Sequence, residues 1–168
     1  MATKFDPYAV LQALERQRAV YVVVGGLGRV LQGSDELTDG IDIVPLLRED
    51  NLRLLERALE DLKARRPDGK PLVLERDIAR GPVLELATNA GELKLVAEPA
   101  GTRGYDDLRR HAVREPIGQG LRPSVASLDD HARMLSALGR DQDREPLLTI
   151  RRLIELQHGL DRGRSLER

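Results

Sequence analysis

An acidic residue within an apolar strand is the first feature of this sequence that could carry chemistry. Asp42 lies between Ile41 and Ile43, in a run whose β-branched residues predict a strand. A carboxylate among apolar neighbours is unfavourable unless it has a partner or a ligand. The alternative is a turn residue at the end of the strand, but the flanking isoleucines favour a functional role for Asp42.

Two glycines precede this strand at a position where a ligand could approach the backbone. Gly25 and Gly26 follow a β-branched run at 22–24 and lead into a short apolar-periodic segment at 27–31. That order predicts a strand, a glycine turn, a helix and a second strand from Gly40. Glycines admit close approach to the backbone, and the N–H groups at a helix start can bind phosphate. The stretch therefore predicts a phosphate-binding turn that leads into an acidic strand.

This arrangement resembles the small bacterial members of the polymerase-β-like nucleotidyltransferase superfamily, including relatives of the AbiEii-type toxins. Gly25-Gly26, thirteen further residues and an acidic strand carry the resemblance. It continues over about residues 19–152, through "VPLLREDNLRLLERAL", "ELATNAGELKLVAEPAGTRGYDDL" and "VASLDDHARMLSALGR". The resemblance implies an α/β (α+β) protein of nucleotidyltransferase fold, with a mixed central sheet flanked by helices and C-terminal helices packed on it.

The resemblance also implies a site for an NTP and Mg²⁺. In the family, the glycine turn holds the triphosphate and carboxylates on the next strand hold the metal. The nucleotide-binding residues implied here are Gly25, Gly26, Arg29, Gly33, Ser34 and Thr38. Ser34 and Thr38 could touch phosphate or sugar, or could cap a turn. Arg29 and Arg103 could contact phosphate, or could be solvated like most arginines of an arginine-rich chain.

Two positions depart from the family pattern. Gly40 stands where the family has its first strand carboxylate, and Lys94 stands where a later strand brings a third. Asp42 is left as the catalytic and metal-binding residue, and one carboxylate makes a poor site for two metal ions. We predict that Lys94 forms a salt bridge with Asp42 in place of a metal. Asp39 could replace a ligand, although its side chain should point to the opposite face from Asp42.

The residues leave an alternative for Lys94 and three functions for the chain. Taken alone, Lys94 reads as an exposed strand residue that pairs with Glu92 or Glu85. The first function is a catalytically impaired or inactive member that binds NTP, RNA or a protein partner. The second is an active, toxin-like transferase that moves NMP to a tRNA, protein or small-molecule hydroxyl, using Asp42 with Asp39, Glu85 or Glu92. The third is a structural or oligomeric protein without nucleotide.

Composition narrows these choices only slightly. The chain has 168 residues, a net charge of −1 and no cysteine, so it lacks a global basic signature for nucleic acid and any thiolate metal site. No apolar run reaches the length of a membrane span, and we expect a cytoplasmic protein without membrane contact. An antitoxin-like partner and a homo-oligomer are further expectations. Three histidines, His111, His131 and His158, lack ligand spacing and are predicted to lie at the surface.

The local patterns predict one domain over 1–158 and a flexible tail over 159–168. Asp6 and Pro7 open a helix, and Asp50 precedes a strongly amphipathic one that ends near residue 65. Strands at 82–88 and 92–97 form a hairpin, in which Leu93 and Leu95 face opposite to Glu92, Lys94 and Val96. Pro45 predicts an edge or a bulge for the strand of Asp42. The remaining predictions are a short helix at 105–112, a strand pair within 113–125, and helices at 127–138 and 146–157.

Overall fold

The computed structural model describes residues 3–167 and contains one mixed sheet. Its helices are α1 Pro7–Arg16, α2 Gly25–Leu31, α3 Glu49–Asp61, α4 Leu74–Ile78, α5 Tyr105–Leu108, α6 Leu128–Leu138 and α7 Arg144–Leu166. Its strands are β1 Tyr21–Val24, β2 Gly40–Pro45, β3 Val83–Thr88, β4 Gly91–Val96, β5 Val113–Arg114 and β6 Ser124–Val125. Within the described residues, no helix is both long and apolar enough to cross a membrane.

The six strands lie in the order β3-β4-β2-β1-β6-β5. β2 pairs antiparallel with β1 and parallel with β4, while β3 and β4 form the predicted hairpin. The expectation of an edge strand for β2 is therefore wrong. Pro45 is tolerated because it is the last residue of β2, where the ladder of backbone hydrogen bonds ends.

One face of the sheet is closed by the main hydrophobic core. Ile41, Ile43, Leu93 and Leu95 are each at most 1% exposed. They pack with the apolar side of α1 and α3, including Leu11 and Leu55. α3 is amphipathic as predicted, since its buried and exposed residues follow the helical period.

The opposite face carries a smaller core and then becomes polar. Val22, Val24 and Val44 pack there with residues of α5 and α6, Leu108 and Met134 among them. Asp42 continues this face along β2, because it is two residues from Val44 and opposite Val24 in register. Toward the β3 edge the same face holds Lys94, Glu92 and Glu85. The helices thus leave one end of this face to charged side chains.

Most local predictions are confirmed, and the exceptions depend on tertiary packing. The carboxylate of Asp6 accepts a hydrogen bond from Ala9 N, and Ser127 Oγ accepts one from Asp130 N, so both predicted helix caps form. α4 was not predicted, because its single turn follows a loop with no long apolar period. The residues at 159–166, predicted as a flexible tail, are the end of α7. Their side chains are exposed, and the helix continues there because no breaker interrupts it.

Candidate functional site

The turn between β1 and α2 brings the backbone against Asp42. Gly25 is the first residue of α2, directly after β1, and has a left-handed φ of 68°. A Cβ atom at Gly25 would lie 2.9 Å from Cγ of Asp42 and closer still to its Oδ2. Only glycine meets both the backbone angle and the close approach. The predicted glycine turn and acidic strand are therefore adjacent in the folded chain.

The carboxylate of Asp42 has no hydrogen-bond partner among the described residues. It is half-buried between the glycine turn and β4. Burial raises the pKa of Asp42 above its usual range; the charges of Lys94 and Arg29 act to lower it, and those of Glu92 and Glu85 to raise it. An acid held in this way is unfavourable for folding, which is typical of a residue kept for a ligand.

Lys94 is next to Asp42 in the sheet but does not form the predicted salt bridge. The two residues face each other in the parallel register of β2 and β4. Nζ of Lys94 nevertheless lies 3.8 Å from Oε1 of Glu92, and no described ion pair joins Lys94 to Asp42 within 4.0 Å. The lysine turns to the more exposed carboxylate, where its ammonium group stays in water. Its charge still reaches Asp42 through space, since it acts to lower the pKa of that carboxyl.

Arg29 and Ser34 are held by an internal acid rather than exposed toward the turn. Arg29 donates from Nε and from a terminal nitrogen to the two oxygens of Glu36, each at 2.8 Å. Ser34 Oγ donates to the same carboxylate at 2.9 Å. Burial acts to raise the pKa of Glu36, but these hydrogen bonds outweigh it and the pKa is lowered. Both residues therefore stabilise the loop between α2 and β2.

Thr38 and Gly33 take different places relative to the turn. Thr38 Oγ1 donates to the carbonyl of Gly40 at 2.9 Å, and it would lie 3.5 Å from a Cβ at Gly26. Thr38 thus caps the start of β2 beside the turn. Gly33 follows the other end of α2, with a φ of 111°, where a Cβ would meet Leu153 of α7. The structure does not bring Gly33 to the turn formed by Gly25 and Gly26.

The carboxylates around Asp42 do not form a metal site. No group of three metal-ligating side chains is found within 3–167. Asp39, Glu85 and Glu92 are all exposed. Gly40 leaves no room for a simple restoration, because a Cβ there would lie 3.0 Å from the carbonyl oxygen of Glu92. Two of the three positions on which the family's chemistry depends therefore offer no oxygen ligand, and the residues present do not fit a pair of Mg²⁺ ions.

A buried histidine beside α2 escaped sequence reasoning. His131 was predicted at the surface but is 1% exposed, and both ring nitrogens lack a hydrogen-bond partner within the described part of the chain. Burial, with the charge of Arg29, lowers the pKa of His131 to about 3 despite the opposing charge of Glu36. The ring packs on Gly28, where a Cβ would lie 2.9 Å from Cε1. Glycine at position 28 was the available signal. His111 and His158 are exposed as predicted.

Comparison with known proteins supports the fold. No protein-family model and no curated protein matches the sequence. Solved structures do match, and one of them is described as a "putative nucleotidyltransferase" from Thermotoga maritima, with 19% sequence identity and a TM-score of 0.54. The match covers 83% of this chain and 86% of that one. The chain therefore has the mixed α/β nucleotidyltransferase fold that its sequence predicted.

Proposed function

We propose that this chain is a catalytically inactive nucleotidyltransferase-fold protein that binds a nucleotide through its phosphates. One observation carries the proposal: Asp42 keeps the position of a strand carboxylate, while Gly40 on its own strand and Lys94 on the next replace the other two. The AbiEii-like branch, an antitoxin partner, RNA binding, a homo-oligomer and a cytoplasmic location remain predictions from the sequence.

The charges around Asp42 support binding without catalysis. Transfer of an NMP group needs metal ions to bridge the phosphates and to activate the attacking hydroxyl. A single half-buried carboxylate with a raised pKa is a weak ligand for that purpose. Lys94 instead places a positive charge in register with Asp42, and an ammonium group can meet a phosphate as a point charge. We therefore route no reaction step through Mg²⁺.

The glycine turn supports a nucleotide as the ligand. Gly25 brings the backbone to the side chain of Asp42 and leaves no side chain at the start of α2. Thr38 beside it has a hydroxyl oxygen that donates to Gly40 and can still accept a hydrogen bond. Backbone, hydroxyl and ammonium groups thus surround the end of the polar sheet face. These are groups that bind a phosphate chain.

Calorimetric titration with an NTP, in EDTA and in excess Mg²⁺, tests the proposal together with incorporation of a labelled NTP. We expect binding in EDTA, no labelled product, and roughly tenfold weaker binding for Lys94→Gln, the loss of one contact to a charged group. Mg²⁺-dependent labelling would instead establish an active transferase. Absence of nucleotide binding under both conditions would leave the structural alternative.

A second variant distinguishes a lost metal site from an unrelated one. Lys94→Asp places a carboxylate in register with Asp42, and we expect nucleotide binding to become dependent on Mg²⁺. Lys94→Asn is the matched control, since it removes the charge without adding a ligand. Gly40→Asp is less suitable, because its Cβ would crowd Glu92 and β4 would have to shift. Unchanged metal dependence in Lys94→Asp would contradict the assignment of this face as a former metal site.

A further inference from the structure

A cavity of about 290 Å³ lies at the opposite end of β1 from Asp42. Val24 is in register with Asp42, whereas Tyr21, at the start of the strand, lines this cavity. Its other charged lining residues are Glu15, Arg18, Arg114 and Arg122. The cavity therefore does not share the residues of the site proposed for the nucleotide, and any ligand in it would be separate.

The three arginines of this cavity lack carboxylate partners. No described carboxylate oxygen lies within 4.0 Å of the side chains of Arg18, Arg114 or Arg122. Elsewhere in the molecule arginines do pair; Arg29, for example, lies 2.8 Å from Glu36. Like charges placed together without counter-ions repel one another. An arginine-rich surface that stays unpaired in a chain of net charge −1 is therefore suited to an anion.

The fold assembles these arginines from separate parts of the chain. Arg18 lies in the turn after α1, Arg114 is on β5, and Arg122 precedes β6. Arg18 adopts a left-handed φ of 57°, uncommon for a residue with a side chain, and its N–H donates to the carbonyl of Glu15 at 3.0 Å. Strained backbone of this kind is concentrated at functional sites.

Tyr21 provides an independent observation in the same cavity. It is only 7% exposed, and its hydroxyl has no hydrogen-bond partner within the described residues. Burial raises the pKa of Tyr21, the charge of Glu15 raises it further and that of Arg114 lowers it. The hydroxyl is thus a proton donor at neutral pH, and a buried donor without an acceptor is unfavourable unless a ligand meets it.

We propose that this cavity binds a phosphate group. Three guanidinium groups and one carboxylate give the lining a net charge near +2, which matches a phosphate dianion. Guanidinium is planar and donates pairs of hydrogen bonds that fit phosphate oxygens. The volume admits a phosphate with a small organic part or one linkage of a nucleic-acid strand. The proposal is independent of nucleotide binding at Asp42.

Titration of the full chain with inorganic phosphate, pyrophosphate and a single-stranded RNA of roughly ten nucleotides tests the proposal. We expect binding to weaken roughly tenfold in Arg114→Gln, for loss of one contact to a charged group. Tyr21→Phe should weaken it as well. Arg57→Gln is the matched control, because Arg57 is exposed on α3 and does not line the cavity. Lys94→Gln should leave phosphate binding here unchanged.

The pattern across probes identifies the source of the phosphate. Binding of phosphate or pyrophosphate that is lost in Arg114→Gln and kept in Arg57→Gln indicates a free phosphorylated small molecule. Binding of RNA alone with the same pattern indicates a phosphodiester. Absence of binding for all three probes, or equal loss in Arg114→Gln and Arg57→Gln, overturns the proposal. Circular dichroism of each variant verifies that the fold is retained.

Discussion

The two faces of the central sheet are built from alternating residues of the same strands, yet they behave differently. On one face, Ile41 and Leu93 are at most 1% exposed and belong to the main core. On the other, Asp42 and Lys94 lie side by side in register without a direct ion pair. Period-two alternation places stability on one side of β2 and β4 and chemistry on the other.

The contrast shows that the polar face is not selected for stability. A buried carboxylate kept for structure is normally paired, as Asp77 is with Arg66 at 3.1 Å. Asp42 instead has a raised pKa and no hydrogen bond within the described residues. Substitutions on the two faces should therefore have effects of different size and of opposite sign.

The largest effect is expected on the apolar face. Leu93→Ala removes a side chain that is 0% exposed and should lower the free energy of unfolding by about 3 kcal/mol, from lost burial and the cavity left behind. Urea denaturation monitored by circular dichroism measures this. A loss under roughly 1 kcal/mol, within the usual surface range, would contradict the division between the faces.

A substitution at the turn should come second. Gly25→Ala combines a left-handed φ with a Cβ that meets the carboxylate of Asp42, and we expect a loss of roughly 2 kcal/mol. Gly69→Ala is the matched control, since its φ of 71° is similar but nothing lies within 4 Å. The difference between the two in thermal unfolding isolates the contact with Asp42. Equal losses would show that this contact is unimportant.

Asp42 should act in the opposite direction. Asp42→Asn removes a charge that burial disfavours, and we expect a gain in stability of roughly 1 kcal/mol at neutral pH. Because the folded-state pKa is raised, the folded wild type binds the proton more tightly and loses stability as pH rises through that pKa. The advantage of Asp42→Asn should therefore shrink toward acidic pH. A gain that is independent of pH would contradict this account.

The smallest effect is expected at Glu92. Its carboxylate is 3.8 Å from Nζ of Lys94, and both side chains are substantially exposed. Glu92→Gln should change stability by less than about 0.5 kcal/mol, because exposed ion pairs contribute little. The same denaturation measurement at low and high salt provides the test. A larger, salt-sensitive loss would show that Lys94 depends on Glu92 for its position.

Local sequence determined much of the fold because its signals act over a few residues. Asp6 and Ser127 cap helices through hydrogen bonds to residues three positions on, and the pattern at 91–96 predicted which side chains of β4 are buried. The β1, glycine turn, α2 and β2 order was also readable, as was the position of Asp42. Capping and alternation need no distant partner.

The tertiary structure decided what depends on contacts between distant residues. Lys94 pairs with Glu92 rather than Asp42, and His131 is buried because Gly28 on another helix leaves room for its ring. Arg18, Arg114 and Arg122 share a cavity although about a hundred residues separate the first from the other two. Side-chain pairing and burial are set by how elements pack, which no local pattern specifies. The sequence alone determined that Asp42 follows a glycine turn; the fold decided that this carboxylate has no partner.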